Sequence, residues 1–271
     1  MLTFTNQAAL SYRNRVRYSN LTTGQIADAL TMTKEALTGT YAPGEDVTYV
    51  VRLSNNGTAA LTDLTLTDDL GGYVFDGGTL YPLSYVENSL RFFVNGTEQP
   101  LPAGGNGLLL YEAAVTEFAP LGTEGTITNT VTASGAGLTA PVTASATVTA
   151  ANEPELTIAK SLTPETVGAD RQITYTFTIE NEGNAATATG DDLVVTDTFA
   201  PALANIAVTL NGAPLPQPGN YTYDEATGVF ATVPGALSVP AAAFTQDPVT
   251  GVWTAEPGEA VLAVTGTIQT V

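Results

Sequence analysis

Two segments written in one alternating pattern, VTYVVRLS from Val47 and ITYTFTIE from Ile173, stand 126 residues apart, and each follows a lysine at the same distance. Val47, Tyr49, Val51 and Leu53 alternate with Thr48, Val50, Arg52 and Ser54; Ile173, Tyr175, Phe177 and Ile179 alternate with Thr174, Thr176, Thr178 and Glu180. Period two marks a strand with one buried face. Turn signals close both segments, Asn55-Asn56-Gly57 and Asn181-Glu182-Gly183, and further short strands follow, LTLTDDL and LVVTDTF. Asn95-Gly96 and Asn211-Gly212 read as hairpin turns. Many short strands with such punctuation predict an all-β chain, two tandem immunoglobulin-like β-sandwiches preceded by an N-terminal donor strand. The divisions expected are 1–20 for that extension, 21–152 for the first sandwich and 153–271 for the second, with a linker near Ala151–Pro154.

The lysines, Lys34 in LTMTKEAL and Lys160 in LTIAKSLT, are the only two in the chain. Parity places each on an apolar line: Leu30, Met32 and Lys34 share a face, as do Leu156, Ile158 and Lys160. Leu64, Leu66 and Asp68 form a similar line, as do Leu193, Val195 and Asp197; in ITNTVTA, Ile127, Asn129 and Val131 do the same. A lone ammonium, carboxylate or amide is costly to bury, so these groups should meet. Burial disfavours the charged amine and frees it as a nucleophile, while an aspartic acid kept protonated in the same apolar site can polarise the amide and move protons. Attack on the asparagine side chain gives a Lys–Asn amide and releases ammonia, with proximity supplying much of the rate. The expected triad is Lys34, Asp68 and Asn129. The plainer alternative is a buried Lys34–Asp68 ion pair with Asn129 as a hydrogen-bonding neighbour; it requires the same contacts.

The second copy has Lys160 and Asp197 but no asparagine strand before Val271; EAVLAVTGTIQTV matches LLLYEAAVTEF instead. A candidate for the absent strand opens the chain: FTNQAALS resembles ITNTVTAS, placing Phe4, Asn6, Ala8 and Leu10 in line with Ile127, Asn129, Val131 and Ala133. The chain reads as a cyclic shift of two repeats. A sandwich short of a strand has an open edge, which the first strand of another copy can fill. Such a head-to-tail contact generates rings or open fibres. Asn6 of one subunit would then meet Lys160 and Asp197 of the next and permit a bond between subunits; the alternative is that residues 1–20 are an ordinary first strand of their own sandwich or a disordered leader. Charge is consistent with this. Residues 1–27 hold Arg13, Arg15 and Arg17 and no acid, whereas the remainder has 5 bases against 27 acids, or −22. Opposite charges steer association, more weakly in salt.

Composition narrows the other functions. With 27 acids against 8 bases, the chain lacks the basic surface that nucleic acid requires. Cysteine and histidine are absent, which removes disulfides, thiolate metal sites and the usual general base. No phosphate loop, metal-ligand cluster or nucleophile–histidine pair is present, so no enzyme acting on an outside substrate, no cofactor and no metal are expected. Asp68-Asp69 and Asp191-Asp192 are the only calcium candidates, and paired acids on turns are usually solvated. Trp253, the sole tryptophan, is read as a packed or rim aromatic, with sugar stacking as the alternative. No stretch approaches the ~20 apolar residues of a membrane span. MLTFTNQAALSYRNRVRY carries no apolar run like that of a secretory signal, so a removed signal or release by lysis is expected.

The K…LT spacing, the GxxxTYxxxxxNxG and TDxL patterns, and ITNTVTA together resemble the DUF11 repeat, a sandwich module of bacterial surface proteins, over most of 29–150 and 154–271. The opening FTNQAALSY is similar to the start of related repeat proteins of Gram-positive anaerobes. The resemblance implies a stalk, fibre or surface-layer role, outside the cell or on the cell or spore surface, rather than catalysis, and carries the isopeptide triad of pilin and adhesin sandwiches onto Lys34, Asp68 and Asn129. The expectation is an extracellular homopolymer joined by donated strands; the alternative is a monomeric adhesin stalk or binding module.

Overall fold

A computed structural model describes residues 2–26, 28–94 and 101–269. Four short strands come first: β1 (Leu2–Asn6), β2 (Ala9–Tyr12), β3 (Arg15–Tyr18) and β4 (Thr22–Ile26). Among the described residues they pair only with one another, β1 with β4 and β2 with β3, as two-stranded sheets of their own. The result is one bent ribbon whose tip, Arg13-Asn14, has positive φ at both residues, the geometry of a two-residue hairpin turn. Residues 7–8 face 19–21, so the returning strand carries one extra residue, a β-bulge. The expected extension thus runs past residue 20 to Ile26, because β1 finds its partner in β4.

The first unit comprises the residues up to Pro120 together with Thr126–Thr149. After the ribbon it runs β5 (Leu30–Ala36), β6 (Thr40–Tyr41), β7 (Asp46–Asn55), β8 (Thr65–Asp68), β9 (Tyr73–Phe75), β10 (Gly78–Leu80), β11 (Leu83–Tyr85), β12 (Arg91–Val94), β13 (Asn106–Val115), β14 (Thr126–Ser134) and β15 (Val142–Ala150). One sheet has the order β11-β13-β7-β5, with β12 also on β13; the other is β6-β15-β14-β8. The alternation read in VTYVVRLS is realised: Val47, Tyr49, Val51 and Leu53 of β7 are buried between the sheets with Tyr111, Ile127 and Val131. Val50 is buried as well.

The second unit, Leu121–Gly125 and Ala150–Val271, continues with β16 (Leu156–Thr163), β17 (Gln172–Asn181), β18 (Thr196–Thr198), β19 (Leu203–Leu210), β20 (Ala213–Pro214), β21 (Tyr221–Asp224), β22 (Val229–Thr232), β23 (Ala243–Gln246), β24 (Trp253–Glu256) and β25 (Gly258–Ile268). Its large sheet is β16-β17-β25-β19-β20, and facing it is a smaller one, β18-β22-β21. Ile173, Phe177 and Ile179 from one side meet Val195, Tyr221 and Phe230 from the other in a single core. The chain is all-β, two tandem immunoglobulin-like sandwiches. Asn211-Gly212 forms its predicted turn, both residues at positive φ; Asn95-Gly96 lies outside the described residues.

The two early turns do more than reverse the chain. Asn55 and Asn181 are almost fully buried and act as pins. Asn55 Nδ2 donates to the carbonyls of Ala59 and Leu101, and Oδ1 accepts from Gly57 N–H. Asn181 repeats this with Ala185, Pro240 and Gly183.

Candidate functional site

Three expected residues of the first unit converge. β5 pairs with β7 so that Lys34 lies opposite Val51, pointing toward the second sheet. β14 pairs with β8, placing Val131 opposite Asp68 and Asn129 two residues away. The Lys34 side chain is fully buried and its Nζ donates to Asp68 Oδ2 at 2.7 Å. Desolvation lowers the Lys34 pKa below its ordinary 10.5, partly offset by the hydrogen bond and charge of Asp68. The neutral amine is therefore easier to reach than in water.

Tyr111, which the sequence reading passed over, joins this group. Its hydroxyl donates to Asp68 Oδ2, and Asn129 Nδ2 donates to the tyrosine oxygen at 3.3 Å. Burial followed by that hydrogen bond to Asp68 pushes its pKa up. Lys34 Nζ lies 4.7 Å from the ring centre of Tyr49 and 5.6 Å from that of Tyr111; the two rings stack at 5.5 Å. Burial pushes Tyr49 up to about 12, with the Asn129 side chain opposing part of the shift. Asn129 Oδ1 is buried and makes no hydrogen bond. Asn129 is joined to Lys34 through Tyr111 and Asp68, and an unpaired buried acceptor such as its Oδ1 costs about 1–3 kcal/mol. A groove of about 460 Å³, lined by Leu66, Asp68, Tyr85, Tyr111 and Val131 among others, opens beside Asp68.

In the second unit Lys160 and Asp197 are again ion-paired. Lys160 Nζ stands over aromatic faces, 4.8 Å from Tyr175 and 5.6 Å from Phe199. Here the expected burial does not hold: the Lys160 side chain is 42% exposed, and every residue of β16 is exposed, including Leu156 and Ile158. The face points as expected, but the cover that β14 gives β5 is not present among the described residues of this unit. Val264 pairs with Tyr175 where Tyr111 pairs with Tyr49, so the tyrosine bridge is missing too. Asn6 sits exposed on the ribbon opposite Thr22.

The other candidates are engaged locally. Asp69 Oδ1 accepts from the Gly71 and Thr130 N–H groups, and Asp191 Oδ2 from Ala188 N–H. Among the described residues no cluster of three or more metal-ligating side chains occurs, and no helix is long and apolar enough to cross a membrane. Trp253 is half-buried on the β23–β24 hairpin with its indole N–H enclosed and unpaired.

No protein-family model matches the chain, and no curated protein sequence does. Among solved structures, that of murine CEACAM1b is similar with a TM-score of 0.23 and 14% identity, covering 75% of this chain and 85% of that one. The titin domains Z1Z2 in complex with telethonin are similar with a TM-score of 0.30 and 11% identity, covering 87% and 96%.

Proposed function

We propose that this chain is a structural subunit of an extracellular fibre, assembled head to tail by donation of the N-terminal segment and strengthened by Lys–Asn amides within and between subunits. The observation that carries the reading is the open side of the second unit. Its lysine and aspartate are in place, its β16 face is bare, and residues 2–26 form an exposed element whose sequence matches the covering strand of the first unit. The resemblance to surface-protein repeats points the same way.

The chemistry follows from the first unit. The Lys34 ammonium passes its proton to Asp68 along their hydrogen bond. The neutral amine attacks Asn129 Cγ; Asp68 gives its proton to the departing nitrogen as the C–N bond breaks, takes up the proton that the attacking nitrogen sheds, and ends protonated. One amide forms, one amide breaks, and one ammonia leaves; no oxidant or cofactor takes part. The aromatic rings exclude water and keep the amine close. Between subunits, Asn6 would play the part of Asn129 against Lys160 and Asp197, and only then would Lys160 become buried.

Electron microscopy of the purified protein with denaturing electrophoresis of the same sample tests the reading. Filaments that survive denaturant as ladders are expected. Single particles that run as monomers would overturn it and favour an adhesin stalk.

A further inference from the structure

Resting on that reading, we propose that the second unit takes up the N-terminal ribbon of another copy as a two-stranded element, with β1–β2 laid on β18 and β4 beside Glu165–Val167. A single donated strand would leave the slot half filled.

The size of the slot is read from the first unit. There, the sheet facing β5 is β6-β15-β14-β8. β8 has its counterpart in β18, which carries Asp197 as β8 carries Asp68. β6 (Thr40–Tyr41) matches Thr166–Val167 by the repeat offset, and that stretch forms no strand. Between those two landmarks the first unit places two strands, β14 and β15. Among the described residues of the second unit there is neither.

The strand β22 does not fill this place. In an antiparallel pair, the backbone groups of alternate residues face alternate edges. Asp69 N–H donates to Thr130 of β14, so Thr67 and Asp69 face that strand. Their counterparts are Thr196 and Thr198. In β18 it is Val195 C=O and Phe199 N–H that bond to Thr232 and Gly228, on the β22 side. Thr196 and Thr198 therefore face the opposite, strandless edge. The Thr198 N–H, whose counterpart in Asp69 bonds to β14, is held instead by Asp197 Oδ1.

The ribbon has the matching parity. Ala8 bonds to Ser19 through both its C=O and its N–H, so Gln7 and Ala9 face the outer edge. With Asn6 placed as Asn129, these two fall at Thr130 and Thr132, the residues of β14 that face β8. The second strand matches too. Thr5 stands opposite Thr23 where Thr128 stands opposite Thr147, and Phe4 opposite Gly24 where Ile127 stands opposite Val148. A side chain at Gly24 would collide with the Phe4 ring, so the large–small pair fills one layer as Ile127 and Val148 do together. The ribbon is already paired in the free subunit, which lowers the ordering cost of docking. Its three arginines and no acids suit an acidic receiver.

Introduced cysteines test this cleanly, since the chain has none. In an Asn6→Ala background, Ala9→Cys protein is mixed with Thr196→Cys protein, positions that correspond to the Thr132–Thr67 pair. Separately, Gln25→Cys is mixed with Glu165→Cys, after the Thr149–Gly39 hydrogen bond. The expected result is a reducible dimer in both mixtures. A dimer in the first mixture alone would overturn the ribbon and leave single-strand donation standing. Failure of both, with monomers in solution, would overturn the ribbon and the fibre reading together.

Discussion

The two sandwiches carry the same lysine–aspartate pair in opposite states of closure. In the first unit the Lys34 side chain is fully buried and hydrogen-bonded to Asp68, which Tyr111 and, through it, Asn129 join. In the second, Lys160 holds the same position on its sheet yet is 42% exposed, kept in place by Asp197 and by the faces of Tyr175 and Phe199. The difference shows what each part contributes. The sheet that bears the lysine orients it; the facing strands desolvate it and bring the amide. A lysine lacking that cover is oriented and still wet.

The comparison can be broken most severely at the ribbon. Deleting residues 2–26 should abolish assembly while leaving both sandwiches folded, as seen by light scattering and circular dichroism; polymers that persist would place the contact elsewhere. Next in size is the contrast between lysines. Lys34→Ala leaves the Asp68 carboxylate, only 21% exposed, without its cation and should cost the first unit up to about 3–5 kcal/mol in chemical denaturation. Lys160→Ala in the unassembled subunit should cost under about 1 kcal/mol, as for an exposed ion pair. Equal losses would erase the distinction drawn between the sites.

Tyr111→Phe sharpens the comparison from the other side. It removes the donor to Asp68 and the acceptor of Asn129, and should destabilise the first unit by about 1–3 kcal/mol. In the second unit Val264→Phe touches no such network and should not reproduce that polar loss. The mildest effect is alkaline. Tyr49 holds its proton to about 12 in the folded chain, against 10.0 when unperturbed. Above pH 10 the unfolded chain has therefore released a proton that the native one retains, so stability falls as pH rises from 10 toward 12. Tyr49→Phe should flatten that slope in a pH series of denaturation curves.

Period-two alternation was enough to reveal both sandwiches, because β7 and β17 each bury one face against a facing sheet. Parity also found Lys34, Asp68 and Asn129, since a polar residue in an apolar line must satisfy itself across the core. Tyr111 escaped because a tyrosine in LLLYEAAV looks like ordinary core; its hydroxyl matters only through its placement opposite Tyr49, a fact of register. The wetness of Lys160 escaped for a related reason: parity gives the direction of a side chain but not the presence of what should cover it. The return strand β4 was hidden by polar, glycine-containing TTGQI and by the bulge at residues 19–21, which breaks the alternation that identifies a strand.

The central claim is that one copy's N-terminal segment completes another's second sandwich and brings Asn6 to Lys160. Tryptic peptide mass spectrometry of the assembled, denatured protein addresses it directly. A branched peptide joining the segment that contains Asn6 to the one that contains Lys160, lighter than the sum of its parts by one ammonia and absent from Asn6→Ala protein, is predicted. Unmodified Asn6 and Lys160 peptides in protein that is nonetheless assembled would contradict it.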